Sequence, residues 1–180
     1  MLLSFSTWVI FDEHLSWNKH VKAIVSKAGR QVGLLGRVCR YITTHSANAI
    51  FLSMMRPTLE YCAGVWGCCG EVNSGILETL QKHFGRIVIK TPSDTAMKAL
   101  KWPSLRSRRD EHILKLVRKC IHGRCPQCFK NYFVFNKDIC ARLTRQSNLL
   151  HLPARRTEVA KRSLYYHGSM VFNSFNCKCP

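Results

Sequence analysis

Acidic residues are scarce in this chain and are never gathered into a catalytic group. Asp12, Asp94, Asp110 and Asp138 stand apart, with no Asp-Asp or Asp-x-Asp pair. A two-metal polymerase or nuclease needs carboxylates close enough to share ions about 4 Å apart, so no complete centre of that kind is legible. Also missing are a phosphate-cradling Gly-x-x-x-x-Gly-Lys-Ser/Thr loop, a His-Glu-x-x-His pair and a Gly-x-Ser-x-Gly elbow. Long apolar runs are missing too: Phe51-Leu-Ser-Met-Met55 is closed by Arg56-Pro57, which leaves no segment long enough to span a bilayer. The run from Met1 to Phe11 has no basic n-region and no small-residue cleavage site before Asp12-Glu13, so it reads as a buried strand and not as a signal peptide.

What is present is positive charge. Against 28 Lys and Arg stand 10 Asp and Glu, for a net charge of +18 and a pI near 9.9. Such an excess repels itself unless a polyanion neutralises it. From Ile113 to Pro180 there are thirteen basic residues and two acidic ones, Asp138 and Glu158. An acidic membrane surface would need an apolar face beside the charge, and no stretch clearly offers one, so the expected partner is nucleic acid, RNA or DNA, bound without sequence preference. The 180 residues, 46% of them hydrophobic, suffice for one domain, with or without an attached tail.

Apolar periodicity predicts a mainly α fold. Over 16–42, Val21, Ile24, Val25, Ala28, Val32, Leu35, Val38 and Ile42 fall in one arc at about 100° per residue. Lys19, Lys22, Lys27, Arg30, Arg37 and Arg40 fall opposite, with no acidic partner for pairing along the helix. A solvated surface helix is the plain alternative, but six charges of one sign point to phosphate contact. Thr43 to Ser46 supply capping side chains for a second helix over 47–55, which Pro57 must kink or end, and 58–67 is expected to continue helical into a Gly- and Cys-rich turn.

A third helix is expected over 74–90, with Ile76, Leu77, Leu80, Phe84, Ile87 and Val88 on one face, and a short one over 95–101. Ser104 caps a fourth long helix that turns Ile113, Leu116, Val117, Cys120 and Ile121 inward and ends before Gly123. Its first turns carry Arg106, Arg108 and Arg109, further candidates for phosphate contact. After Pro126 the periodicity weakens: 149–156 reads as a loop, and 163–175 fits strand or helix equally. In the segment from Arg162 to His167, aromatics beside charge could stack on bases or pack against their own domain.

Ten cysteines are scattered through the chain without a secretory signal, and reduced thiols are the default reading. The one metal-like set is Cys120, His122, Cys125 and Cys128. Four soft ligands within nine residues would suit zinc, but one Cys-x-x-Cys without a second pair at finger spacing does not make a finger. No cofactor is therefore assigned, and a small zinc-dependent interaction module stands as the rival reading.

Five segments in order carry a resemblance. They are Phe11-Asp-Glu-His-Leu-Ser-Trp-Asn-Lys-His20, Arg56-Pro-Thr-Leu-Glu-Tyr-Cys-Ala-Gly-Val-Trp-Gly67, Leu77-Glu-Thr-Leu-Gln-Lys82 with Arg86-Ile-Val-Ile89, Leu100-Lys-Trp-Pro-Ser-Leu-Arg-Ser-Arg-Arg109, and Arg155-Arg-Thr157 with Lys161-Arg-Ser-Leu-Tyr-Tyr-His-Gly168 and Asn173-Ser174. From about residue 10 to 175 the chain resembles the region downstream of the polymerase core in reverse transcriptases of jockey-like non-LTR retrotransposons.

That resemblance implies a strand left from the end of the palm at 1–12, a helical thumb-like domain at 13–123 and a basic extension at 124–180. It implies that the palm aspartates and their magnesium belong upstream, so that this segment is non-catalytic alone and holds template–primer. Its contacts would come from the faces named above and from Arg155, Arg156, Lys161 and Arg162. Trp8, Phe51, Cys125 to Cys128, Phe172 and the tail from Phe175 depart from the family pattern. A degenerate transposon copy with no selected function is thus a further reading. The expected location is intracellular, the nucleus included.

Overall fold

In a computed structural model, residues 9–91, 93–129, 131–140 and 145–176 are described, and they are mainly helical. Most of the expected N-terminal strand lies outside the described residues, and residues 9–12 form no strand. Among the described residues the nearest approach to a sheet is an isolated antiparallel bridge between Phe135 and Leu150.

Helix α1 spans Asn18–Val38. Asp12 holds the turn just before it: its carboxylate accepts from the backbone N–H of Ser16 and of Trp17, each at 2.8 Å, and from the Ser16 hydroxyl at 3.1 Å. Helix α2, Thr44–Ile50, begins where Thr43 Oγ1 accepts from Ser46 N at 3.2 Å. The chain then widens into a π-helical turn, Phe51–Met55, and continues as α3, Arg56–Glu60. Pro57 therefore neither ends nor visibly breaks the helix. A proline has no N–H to donate and its ring crowds the preceding turn, and the wider turn, in which Arg56 N bonds Phe51 O, makes room for it.

Helix α4 is a single turn, Ala63–Trp66, and α5 runs Glu71–Ile89, beginning three residues earlier than its periodicity predicts and closing on Lys90 at φ 61°. After α6, Ser93–Ala99, comes α7, Leu105–Ile121, followed by Gly123 at φ 67°. A 3-10 turn at Gln127–Phe129 precedes α8, Asn136–Ile139; α9 is Glu158–Lys161 and α10 is Leu164–Asn176. The segment that fitted strand or helix equally is thus helical.

The contacts group residues into two compact units. One contains the chain up to Cys62 together with Cys69–Arg108, and the other contains Ala63–Cys68 with the chain from Arg109 onward. The division falls inside α7. Periodicity reports that α7 has an apolar face but not what covers it.

In the first unit, α1 buries Val21, Ile24, Ala28, Val32 and Leu35. Phe51 and Trp102 stack with centroids 3.8 Å apart, and Trp102 Nε1 donates to Asn48 Oδ1 at 3.1 Å. The beginning of α7 is held from several directions. Its first turn contains no acidic residue and carries arginines, the wrong sign for the positive end of a helix dipole. Acid arrives from other helices. Glu78 of α5 accepts from Arg106 N at 2.8 Å, while Ser104 Oγ accepts from Ser107 N at 3.0 Å. Gln81, fully buried, donates to Pro103 O at 3.0 Å. Glu60 grips Arg108 through both carboxylate oxygens, one of them 2.8 Å from Nη2.

In the second unit, α7 buries Ile113, Leu114, Val117 and Cys120 against Phe133, Leu150, Val171 and Phe172. Asn173 closes both backbone groups of Leu150, accepting from its N–H at 2.8 Å and donating to its carbonyl at 2.9 Å. A Cβ at Gly168 would lie 2.9 Å from Val117 Cγ2, so α10 approaches α7 as closely as a bare backbone allows.

Two outcomes are expected. Gly168→Ala destabilises the second unit by about 1–3 kcal/mol through overpacking, read as a lower unfolding midpoint in urea, and an unchanged midpoint contradicts the close approach. Hydrogen bonds, first from Ser16 N, hold the Asp12 carboxyl below its ordinary value, so its contribution is complete above about pH 4 and is lost as pH falls through the lowered value. Asp12→Ala therefore melts lower than the parent at pH 7, and the gap closes in acid.

Candidate nucleic-acid interface

The outward stripe of α1 reads Lys19, Lys22, Ser26, Arg30, Gly33, Arg37, opposite the buried Val21, Ile24, Ala28, Val32 and Leu35. At 1.5 Å per residue it is about 27 Å long. Lys19, Lys22, Arg30 and Arg37 are exposed, and α1 contains no acidic residue. Among the described ion pairs none involves these four. The spaces between them are small. A Cβ built at Gly29, Gly33 or Gly36 would meet nothing within 4 Å, so a phosphate backbone can lie close along the helix. Lys27 is half-buried on the flank, and Arg40 is exposed just beyond the helix end.

The α7 arginines behave differently from those of α1. Arg106 is exposed and pairs with Glu71 at 2.8 Å, the kind of surface pair worth about 0–1 kcal/mol, which a phosphate can replace. Arg108 is bound to Glu60, whose side chain is only 8% exposed. Arg109 is 2% exposed, with its guanidinium carbon 6.0 Å from the Trp66 ring centroid. Arg108 and Arg109 therefore serve the interior of their units, although the spacing that drew attention to them is the same as for Arg106. Sequence reasoning missed Arg56. It lies 5.5 Å over the Phe51 ring, and burial, then the neighbouring Arg108 charge, lowers its pKa.

In the C-terminal segment Arg155 and Arg156 are exposed in the loop before α9. Lys161 donates to Glu158 at 2.7 Å, a bond that raises the lysine pKa and lowers that of the glutamate. Arg162 is half-buried, and its carbonyl accepts from the Cys68 thiol. Tyr165 packs edge-on against Tyr132, centroids 5.2 Å apart, so that ring of the 162–167 segment is engaged within its own unit.

Among the described residues no group of three or more His, Cys, Asp or Glu could hold a metal ion. Cys120 turns into the apolar core beside Val117, while His122 and Cys128 are exposed. Burial, then the Cys125 thiol, pushes the Cys120 pKa up to about 11, which keeps it protonated and slow to react as a nucleophile. Cys39, Cys62, Cys125, Cys128 and Cys140 are free thiols as well. Of the carboxylates, Asp12 is engaged by Ser16 and Trp17 just before α1, and Asp110 lies 3.4 Å from His167 Nε2. No described helix is long and apolar enough to cross a membrane.

Compared with family models, with curated proteins and with solved structures, the chain matches none of them. The thiol environments predict a reactivity order. Iodoacetamide at pH 8 on the folded protein modifies the exposed Cys62, Cys128 and Cys140 at least tenfold faster than Cys120, as read by peptide mass spectrometry. Equal rates would show that Cys120 is not held in the core.

Proposed function

We propose that this chain binds nucleic acid without catalysing a reaction on it, gripping the phosphate backbone along the outward stripe of α1. The observation that carries the reading is the stripe itself: Lys19, Lys22, Arg30 and Arg37 on one line, opposite the buried face, with small residues between them. At about 27 Å the stripe matches roughly eight base pairs of duplex. Without an aromatic ring or an amide on that line it reads charge and spacing, not base edges, so the binding is non-specific. Arg40, Arg106, Arg155 and Arg156 add exposed charge elsewhere.

Within that reading, the machine is the thumb-like region that follows the palm in jockey-like non-LTR reverse transcriptases, and the ligand is a template–primer duplex. Support comes from how the ordered segments meet. Glu60 from the second segment binds Arg108 of the fourth, and Glu78 and Gln81 from the third hold Arg106 N and Pro103 O of the fourth. Parts of the second, third and fourth segments thus meet at one junction of the first unit.

Salt dependence tests the grip. Each phosphate neutralised contributes about −0.9 to the slope of log K against log salt on duplex DNA. Replacing Lys19, Lys22, Arg30 and Arg37 together by Ala should reduce the slope by about 3–4 and weaken binding at low salt by orders of magnitude, measured by anisotropy of a labelled duplex. An unchanged slope in the folded variant overturns the assignment.

A further inference from the structure

Helix α5 carries more apolar surface than its own core uses. Its inward face is lined by Leu77, Phe84 and Val88, with Asn73, Ser74 and Gln81 buried among them. A second stripe, Val72, Ile76 and Leu80, runs alongside at helical spacing and stays open: Val72 is 79% exposed and Ile76 42%. With Val25 of α1 as the facing wall, this stripe floors an open groove of about 740 Å³. Lys82, His83 and Arg86 stand at its far end.

Three properties select the occupant. The floor is aliphatic and has no Phe, Tyr or Trp, so it lacks the platforms on which bases stack. Val25 lies about 100° round α1 from the basic stripe, so groove and stripe are different faces. A second copy of the chain would bring another +18 against a rim that is already basic, and like charges at close range oppose such a dimer. What fits is a helix with one apolar side and acidic flanks. From Val72 to Arg86 the groove extends about 21 Å, four turns of such a helix. Gly75 opens its middle. A Cβ there would meet nothing within 4 Å, so internal packing does not require glycine, yet glycine inside a helix costs about 0.5–1 kcal/mol relative to alanine. Its absent side chain lets a partner backbone come close.

We infer that the groove between α1 and α5 docks an acidic amphipathic helix of a partner protein, its apolar side on Val72, Ile76 and Leu80 and its carboxylates toward Arg86.

The probe is a fluorescein-labelled synthetic 16-residue peptide with Leu at i, i+3, i+4 and i+7 of each repeat and Glu at most other positions, titrated with the full chain at 0.15 M salt. Two controls are a scramble of the same composition, which has no apolar side, and the same pattern with Lys in place of Glu. Saturable binding of the first peptide, at least tenfold tighter than either control, is expected. Ile76→Glu and, separately, Gly75→Leu should each weaken it at least tenfold, and Arg86→Glu several-fold. The first two variants should leave the affinity for labelled duplex DNA unchanged. Both positions face open space, and a circular dichroism melt confirms folding. Failure of the peptide to bind, equal binding of the scramble, or indifference to both groove variants overturns the proposal. A loss of duplex binding on Ile76→Glu would overturn it in favour of a nucleic-acid groove. A dimer in light scattering that Ile76→Glu dissolves would overturn it in favour of self-association.

Discussion

A helix that begins with arginines must obtain its negative charge from somewhere else. The first turn of α7 presents Arg106 and Arg108 at the end where the helix dipole is positive, and no acidic residue of its own lies there. Glu78, Glu60 and Glu71 supply the missing charge from α5, α3 and the start of α5. Because each acid sits on a different turn, satisfying this one terminus fixes where α3 and α5 stand against it. Gln81 on Pro103 and Trp102 on Phe51 complete the same junction. The first unit is organised around that terminus.

The same arrangement explains why so much positive charge remains outside. Of the 10 acidic residues, Asp12, Glu60, Glu71, Glu78, Asp110 and Glu158 have hydrogen-bonding or ionic partners within the chain. Little acid is left to neutralise α1, whose stripe faces water along its whole length. Internal cohesion and external charge are thus two sides of one scarcity. A chain with more glutamates could have balanced α1, and its surface would then have lost the field that draws a polyanion.

Much of the local structure was legible. The α1 periodicity placed Val21, Ile24, Ala28, Val32 and Leu35 inside and Lys19, Lys22, Arg30 and Arg37 outside, because burial on a helix follows a period of 3.6 residues, but it also put Val38 inside, where it is exposed, and Lys27 outside, where it is half-buried. Ser104 was readable as a cap, and Gly123 as a position beyond a helix end, because both answer to local backbone chemistry. Pro57 was expected to kink or end its helix; the chain stays helical through it, with a π-helical turn just ahead that relieves the clash. The α5 pattern was read as one face, although Leu77 lies inside and Ile76 largely outside; adjacent residues differ by about 100°, and only the neighbouring helices decide where the boundary falls.

Composition and periodicity by themselves determined that the chain is helical, strongly basic and without an Asp-Asp or Asp-x-Asp pair, since these follow from residue identity and spacing alone. Tertiary structure decided which charges are available. Arg106, Arg108 and Arg109 share a few residues of one helix, yet one is exposed, one is bound to Glu60 and one is buried near Trp66. It likewise turned Cys120 into a core thiol away from His122, and left Val72 and Ile76 uncovered. The energy of a charge or an apolar side chain depends on what stands opposite it, and that partner is usually far away in sequence.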